Sequence, residues 1–194
     1  LDELHDRMLS SPDDQRLIQR ALQEIERLEG LVTELLNFAS LPDTRLAPGD
    51  LSAILRDTLF LVSKQLQKQK VVLHEVIPEE LHHPNMDRDR LKQAILNLLT
   101  NAMDAMPDGG ELWVSAQRED KGLSMTIRDS GQGIPADRLS LIFEPFYTTK
   151  GEGTGLGLSI THTIIASHGG RVEVHSHEGE GTEFRVFLPD SGQN

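Results

Sequence analysis

From Gln15 to Ala39, apolar residues recur at Ile18, Ala21, Ile25, Leu28, Val32, Leu35 and Ala39, in alternating steps of three and four. That rhythm predicts a long helix whose apolar stripe packs along a seam, with Glu, Arg, Gln and Thr on its other faces. Pro12-Asp13-Asp14 supplies a proline and carboxylates near the helix start, and Ser10-Ser11 makes a turn before it. Residues 1–9 then read as the end of a preceding helix. A hairpin of two helices leaves a two-sided seam uncovered, so the expectation is a homodimer built on a four-helix bundle. A single amphipathic helix lying on the following domain is the alternative.

Ser40 to Asp50 (SLPDTRLAPGD) holds two prolines and a glycine, which stop the helix and mark a boundary. The division expected is a partial helical hairpin over 1–41, a linker over 42–50, a second domain over 51–190 and a tail over 191–194. Within the second domain, Leu51, Ile54, Leu55, Leu59, Val62 and Leu66 mark an amphipathic helix, followed by a strand-like run from Val71 to Val76. Another helix is predicted from about Asp87 to Met106. Alternating runs follow at Leu112/Val114/Ala116, Leu123/Met125/Ile127, Val172/Val174 and Phe184/Val186/Leu188. Each strand has one apolar face, so helices cover one side of a sheet. The fold class predicted is α+β, a two-layer α/β sandwich preceded by the helical hairpin.

Composition narrows the function. The chain has 194 residues, with 19 Lys+Arg against 31 Asp+Glu, for a formal charge of −12. An acidic chain repels phosphate backbones and anionic membrane surfaces, which argues against nucleic-acid binding. Apolar runs such as Leu59-Phe60-Leu61-Val62 fall far short of the roughly 18 residues of a membrane span. With no cysteine there is no disulfide, thiolate metal site or cysteine nucleophile, which fits a reducing compartment. No signal pattern follows Leu1. The chain reads as a cytoplasmic piece of something longer, any membrane anchor belonging to other parts of the parent.

On the helix expected over 87–106, an advance of about 100° per residue puts Asn97, Asn101 and Asp104 within an arc of about 60°. This stripe borders the apolar one at Leu91, Ala94, Ile95, Leu98 and Ala102. An amide pair one turn apart beside a core calls for hydrogen-bond partners or a hard cation, whereas a merely solvated face carries Glu, Lys and Arg. Asp129 is in phase with Leu123, Met125 and Ile127 and so points inward, where a carboxylate requires a donor. As an isolated feature it also fits a turn-forming Asp before Ser130-Gly131. Thr182 is in phase with Phe184, Val186 and Leu188, and two inward polar groups suggest a small-molecule pocket. Two glycine-rich loops, Asp129-Ser-Gly131-Gln-Gly133-Ile134-Pro135 and Gly151-Glu-Gly153-Thr154-Gly155-Leu156-Gly157-Leu158, let backbone approach a ligand. The second opens into an apolar helix, a setting suited to phosphate. Neither loop is a Walker A or a Rossmann fingerprint. Phe143 to Lys150 (FEPFYTTK), with apolar anchors and one cation, reads as a lid.

Taken in order, Asn97-Leu-Leu-Thr-Asn101-Ala, Asp129-Ser-Gly-Gln-Gly-Ile, Phe143-Glu-Pro-Phe-Tyr-Thr-Thr-Lys and Gly153-Thr-Gly-Leu-Gly-Leu resemble the N, G1, F and G2 boxes of sensor histidine kinases. Gly179-Glu-Gly-Thr182-Glu-Phe-Arg-Val-Phe-Leu-Pro189 is similar to that family's last hairpin, and the heptad helix to its dimerisation region. The resemblance implies the ATP-binding sandwich shared with gyrase-type and chaperone ATPases. It implies that Asn101 ligates Mg²⁺ bridging the ATP phosphates, with Asn97 supporting it and Asp104 nearby. Asp129 would accept the adenine 6-amino group, Thr182 would join that network, and Gly131, Gly133 and Ile134 would pass close to the base. Lys150, Thr154, Gly155, Leu156, Gly157 and Leu158 would belong to the phosphate lid, and Asn97, Asn101 and Lys150 would carry the transfer.

The implied function is ATP-dependent phosphorylation of a histidine on the dimerisation helix, for relay to a response-regulator receiver domain. An amide at Asn97 cannot act as the water-activating base that related ATPases hold there, which favours transfer over hydrolysis. One departure stands out, because no His-Glu-x-x-Asn-Pro box of the family occurs. His5 continues as Asp6-Arg7-Met8-Leu9 and reads as an exposed helix residue, so no phosphoacceptor is expected in this chain, and the acceptor is expected upstream of Leu1. His82-His83, read as a loop, and His175 and His177 read as solvated. A gyrase- or chaperone-type ATPase and a non-catalytic nucleotide-responsive interaction module are the alternative functions.

Overall fold

The computed structural model describes residues 15–22, 24, 25, 45–149 and 153–190. Residues 1–42 and 43–194 form two compact units. In the first unit, 15–22, 24 and 25 are helical. Their apolar residues are open in the single chain, with Ile18 43% and Ile25 52% exposed. The remaining seam positions Leu28, Val32, Leu35 and Ala39, residues 1–9 and His5 lie outside the described residues.

In the second unit, β1 (Ala47–Asp50) leads into α1 (Leu51–Lys68), followed by β2 (Val71–Val76), β3 (His82–Met86) and α2 (Arg88–Asp104). Then come β4 (Gly110–Glu119), β5 (Gly122–Asp129), α3 (Gly157–Ser167), β6 (Arg171–His177) and β7 (Gly181–Pro189). Both long helices start at an Asp whose carboxylate caps a first-turn amide. Asp50 Oδ1 accepts from Ser52 N at 2.9 Å, and Asp87 Oδ1 from Arg90 N at 3.2 Å. The apolar stripes then face inward: Leu51, Ile54, Leu55, Leu59, Val62 and Leu66 of α1, and Leu91, Ala94, Ile95, Leu98 and Ala102 of α2, are all buried. Each fully buried Leu or Ile contributes about 1.5–3 kcal/mol.

Among the described residues, five strands form one sheet in the order β2-β4-β5-β7-β6, with β2 parallel to β4 and the other neighbours antiparallel. Period two decides which side chains meet the helices. Leu112, Val114 and Ala116 of β4, Leu123, Met125 and Ile127 of β5, and Phe184, Val186 and Leu188 of β7 are buried on one face. The other face is polar, with Arg128 over the Trp113 ring at 5.1 Å and His74 stacked against the same ring. The α+β sandwich expected from the sequence is the fold observed.

Two local expectations change. The stretch read as a linker ends in an ordered strand, since Ala47, Gly49 and Asp50 pair with Met86, His83 and His82 of β3. His83, read as a loop residue in solvent, is 2% exposed. Its Nδ1 accepts from Asn85 N at 3.1 Å and its Nε2 meets the Pro189 carbonyl at 2.8 Å, so both ring nitrogens are satisfied by backbone. No helix among the described residues is long and apolar enough to cross a membrane.

Candidate active site

Asp129 ends β5 on the buried face, 3% exposed. Its Oδ1 accepts from Gly131 N at 2.8 Å and from Thr182 N at 3.3 Å. Burial pushes this carboxyl above the usual Asp range, and the two backbone donors pull in the opposite direction. Thr182 is its register partner across β5 and β7 and is 5% exposed. The loop after Asp129 is threaded between α2 and the turn joining β6 to β7. Gln132 N donates to the Ala105 carbonyl at the end of α2, and Gly179 N donates to the Gln132 carbonyl. Gly133 has φ +68°, and a Cβ there would stand 2.0 Å from the His177 carbonyl oxygen, so only glycine fits. Ile134 N donates to Ser176 Oγ at 2.8 Å.

The amide stripe of α2 lies beside this loop's attachment. Asn97 and Asn101 are partly buried, and Asp104, one turn further, is exposed. Asn97 Nδ2 donates to the Gly157 carbonyl at 2.9 Å, and Thr161 Oγ1 donates to the same oxygen at 2.8 Å. The first amide of the stripe therefore ties α2 to the first turn of α3. That turn begins at the second glycine-rich loop. Thr154 Oγ1 accepts from Leu156 N at 3.2 Å, Leu156 is buried, and no side chain caps the helix start. Leu158 is partly buried. Uncapped first-turn amides form an anion-binding end. Gly155, with φ +71°, accepts at its carbonyl from Phe146 N at 3.0 Å. Lys150, Gly151 and Glu152 lie outside the described residues.

A family model described as histidine kinase-, DNA gyrase B- and HSP90-like ATPase matches residues 86–192. The chain belongs to this ATPase family. The match starts just before α2 and ends beyond β7, so it takes in every site residue above. The sensor histidine kinase ZraS of Escherichia coli K12 is 38% identical over 174 residues, covering 90% of this chain and 37% of that protein. The chain thus spans under two-fifths of that relative's length. Full-length ShkA, solved in complex with AMPPNP, superposes with a TM-score of 0.79 at 28% identity, covering 92% of this chain and 40% of that one. Histidine kinase ThkA, solved in complex with the response regulator protein TrrA, gives 0.79 at 26% identity, covering 98% of this chain and 57% of that one.

Within this ATPase-family domain, two clusters form. One joins Asp129, Gly131, Thr182 and Ile134 around backbone and hydroxyl bonds. The other joins Asn97 to Gly157 at the head of α3. Asn101 shares the Asn97 face one turn on and is partly buried. Sequence reasoning missed Ser176, which holds Ile134 and Thr182 together. The signal was present, since Ser176 is in phase with Val172 and Val174.

Proposed function

We propose that this chain is the ATP-binding catalytic portion of a sensor histidine kinase. It binds Mg-ATP and transfers the γ-phosphoryl group to a histidine of a dimerisation helix, for relay to a receiver-domain aspartate. The observation that carries the reading is the buried Asp129 carboxylate, whose two backbone bonds land on one oxygen, in the same domain as an uncapped helix start that Asn97 ties to α2. An acceptor that deep suits the 6-amino group of adenine, and the helix start suits phosphate. The kinase name of ZraS, AMPPNP with ShkA and the response regulator with ThkA support the same reading.

In this reading Asp129 and Thr182 recognise the base, and Gly131, Gly133 and Ile134 bring backbone beside it. Thr154, Gly155, Leu156, Gly157, Leu158 and Lys150 cover the phosphates. Asp104 borders the site on α2. Asn97 braces the phosphate-binding helix through Gly157 and, as an amide, cannot deprotonate water. The donor set fits Mg²⁺: Asn101 offers a hard carbonyl oxygen, and the described residues hold no group of three or more His, Cys, Asp or Glu that could bind a metal alone. Asn101 would be the residue of this chain that holds the ion. Held there, it supplies neutralisation of phosphate charge. The exposed Ile18 and Ile25 belong to a homodimer seam, and the histidine acceptor belongs to a longer form of the protein.

The test is incubation with labelled ATP and a longer chain carrying the dimerisation helices. Acid-labile, alkali-stable label on the longer chain supports the reading, and Asn101→Ala should abolish both the transfer and the Mg²⁺ dependence of binding. Phosphate release without any transfer would favour the ATPase alternative. Label on this chain that disappears in His5→Gln would place the acceptor here.

A further inference from the structure

Ser176, Thr182 and Asp129 are consecutive register partners across β6, β7 and β5, all on the buried face and 8%, 5% and 3% exposed. Ser176 Oγ has three neighbours. Ile134 N reaches it at 2.8 Å and can only donate. The Gly181 carbonyl, at 2.8 Å, can only accept. Thr182 Oγ1 lies at 2.9 Å and could do either. A hydroxyl has one proton and two lone pairs. All three contacts are satisfied in one way alone: the Ser176 proton goes to Gly181, and its lone pairs receive Ile134 N–H and the Thr182 hydroxyl proton. The Thr182 proton is thereby committed to β6. Toward a ligand Thr182 offers lone pairs, as the Asp129 carboxylate does.

We propose that Ser176 is a positioning residue that makes this site select a 6-amino purine over a 6-oxo purine, by holding the Thr182 proton away from the base. The inference rests on the reading of Asp129 and Thr182 as base contacts. Two acceptors side by side match an exocyclic amino group, which has two protons to give. A 6-oxo group brings only lone pairs and leaves acceptors facing acceptors. Without the Ser176 hydroxyl, the Thr182 hydroxyl is released to turn and donate, and the 6-oxo base gains a partner.

Calorimetric titration of this chain with ADP and with IDP, both with Mg²⁺, reads the preference directly. The parent should favour ADP. In Ser176→Ala the ADP-over-IDP ratio should fall about fivefold, the weight of one ordinary hydrogen bond, mainly through tighter IDP binding. Ser176→Thr, which restores a hydroxyl, should restore the ratio. In a Thr182→Val background, Ser176→Ala should change the ratio no further, because the group it acts through is gone. Should the alanine variant fail to fold, Ser176→Cys, close in volume and a weak acceptor, is read in its place with the same expectation. Equal weakening of ADP and IDP, with the ratio intact, overturns the proposal and leaves Ser176 a structural residue. Asp129→Asn separates the two layers. If it weakens ADP while the Ser176 variants leave the ratio unchanged, the selectivity role fails and the adenine reading stands; if it leaves ADP binding unchanged, the adenine reading itself fails.

Discussion

Replacing Asp129 by Asn should weaken nucleotide binding without weakening the fold. The carboxylate is 3% exposed and its two backbone bonds, from Gly131 N and Thr182 N, both fall on Oδ1. An amide oxygen in the same place keeps both. The amide nitrogen then replaces Oδ2, so a donor faces the donor of the adenine amino group. Losing a charge-assisted bond and leaving a donor unpaired costs about 2–4 kcal/mol, or about 30- to 900-fold in Kd.

The unliganded protein should respond in the opposite sense. Burial raises the Asp129 pKa above the unfolded value, so at neutral pH the fold carries a charge that the unfolded chain solvates better. That cost is absent below the unfolded pKa and grows as pH rises through the folded one. Removing the charge should therefore leave the neutral-pH Tm unchanged or raise it. The parent's ADP affinity should decline on acidification before the ordinary Asp range is reached, while the amide variant shows no such step. Calorimetry with ADP across pH, beside thermal melts without nucleotide, measures both. An unchanged Kd refutes the adenine assignment. A large fall in Tm refutes the view that this charge is held at a cost.

Gly155→Ala should cost about 1–3 kcal/mol and disturb nucleotide binding, because φ there is +71° and a Cβ would meet the Phe146 carbonyl carbon at 2.4 Å. Gly157→Ala should keep the fold and gain about 0.4–1 kcal/mol, since its nearest neighbour is Asn97 at 3.7 Å and its backbone is outside the left-handed region. Identical melts for the two would contradict this. Asn97→Asp should destabilise by about 1–3 kcal/mol in urea unfolding, more than Asn97→Ala, because an acceptor would then oppose the Gly157 carbonyl 2.9 Å away. His168 is 4% exposed, donates from Nδ1 to Ile164 O at 2.7 Å and accepts at Nε2 from Asp87 N at 2.9 Å. Burial lowers its pKa, so its contribution is present above the ordinary His range and is lost as pH falls below it, when the unfolded chain takes up the proton first. The urea midpoint should fall on mild acidification, and the fall should be smaller in His168→Gln.

The layered fold and the inward aim of Asp129 and Thr182 were legible in the sequence. Both follow from period: alternation assigns each strand residue to a face, and a 3.6-residue repeat assigns each helix residue to a stripe, with no knowledge of what lies opposite. The amide stripe was legible for the same reason, and the two loops from their glycine content. Other features depend on residues far apart in the chain. Pairing of β1 with β3 has no hydropathy signature, because His82 to Met86 alternates nothing apolar, and the burial of His83 is decided by a carbonyl 106 residues away. Asn97 is committed to Gly157, 60 residues on, only because α2 and α3 pack side by side. The two glycines of one loop look alike in sequence, yet the backbone of Phe146 crowds Gly155 and nothing crowds Gly157. Ser176 has a plain inward phase, but its partners come from two other segments, and only the sheet order β5-β7-β6 sets its hydroxyl beside Thr182. Periodicity is a property of a chain's own backbone. Hydrogen-bond polarity at a site is a property of what the crossovers bring to it.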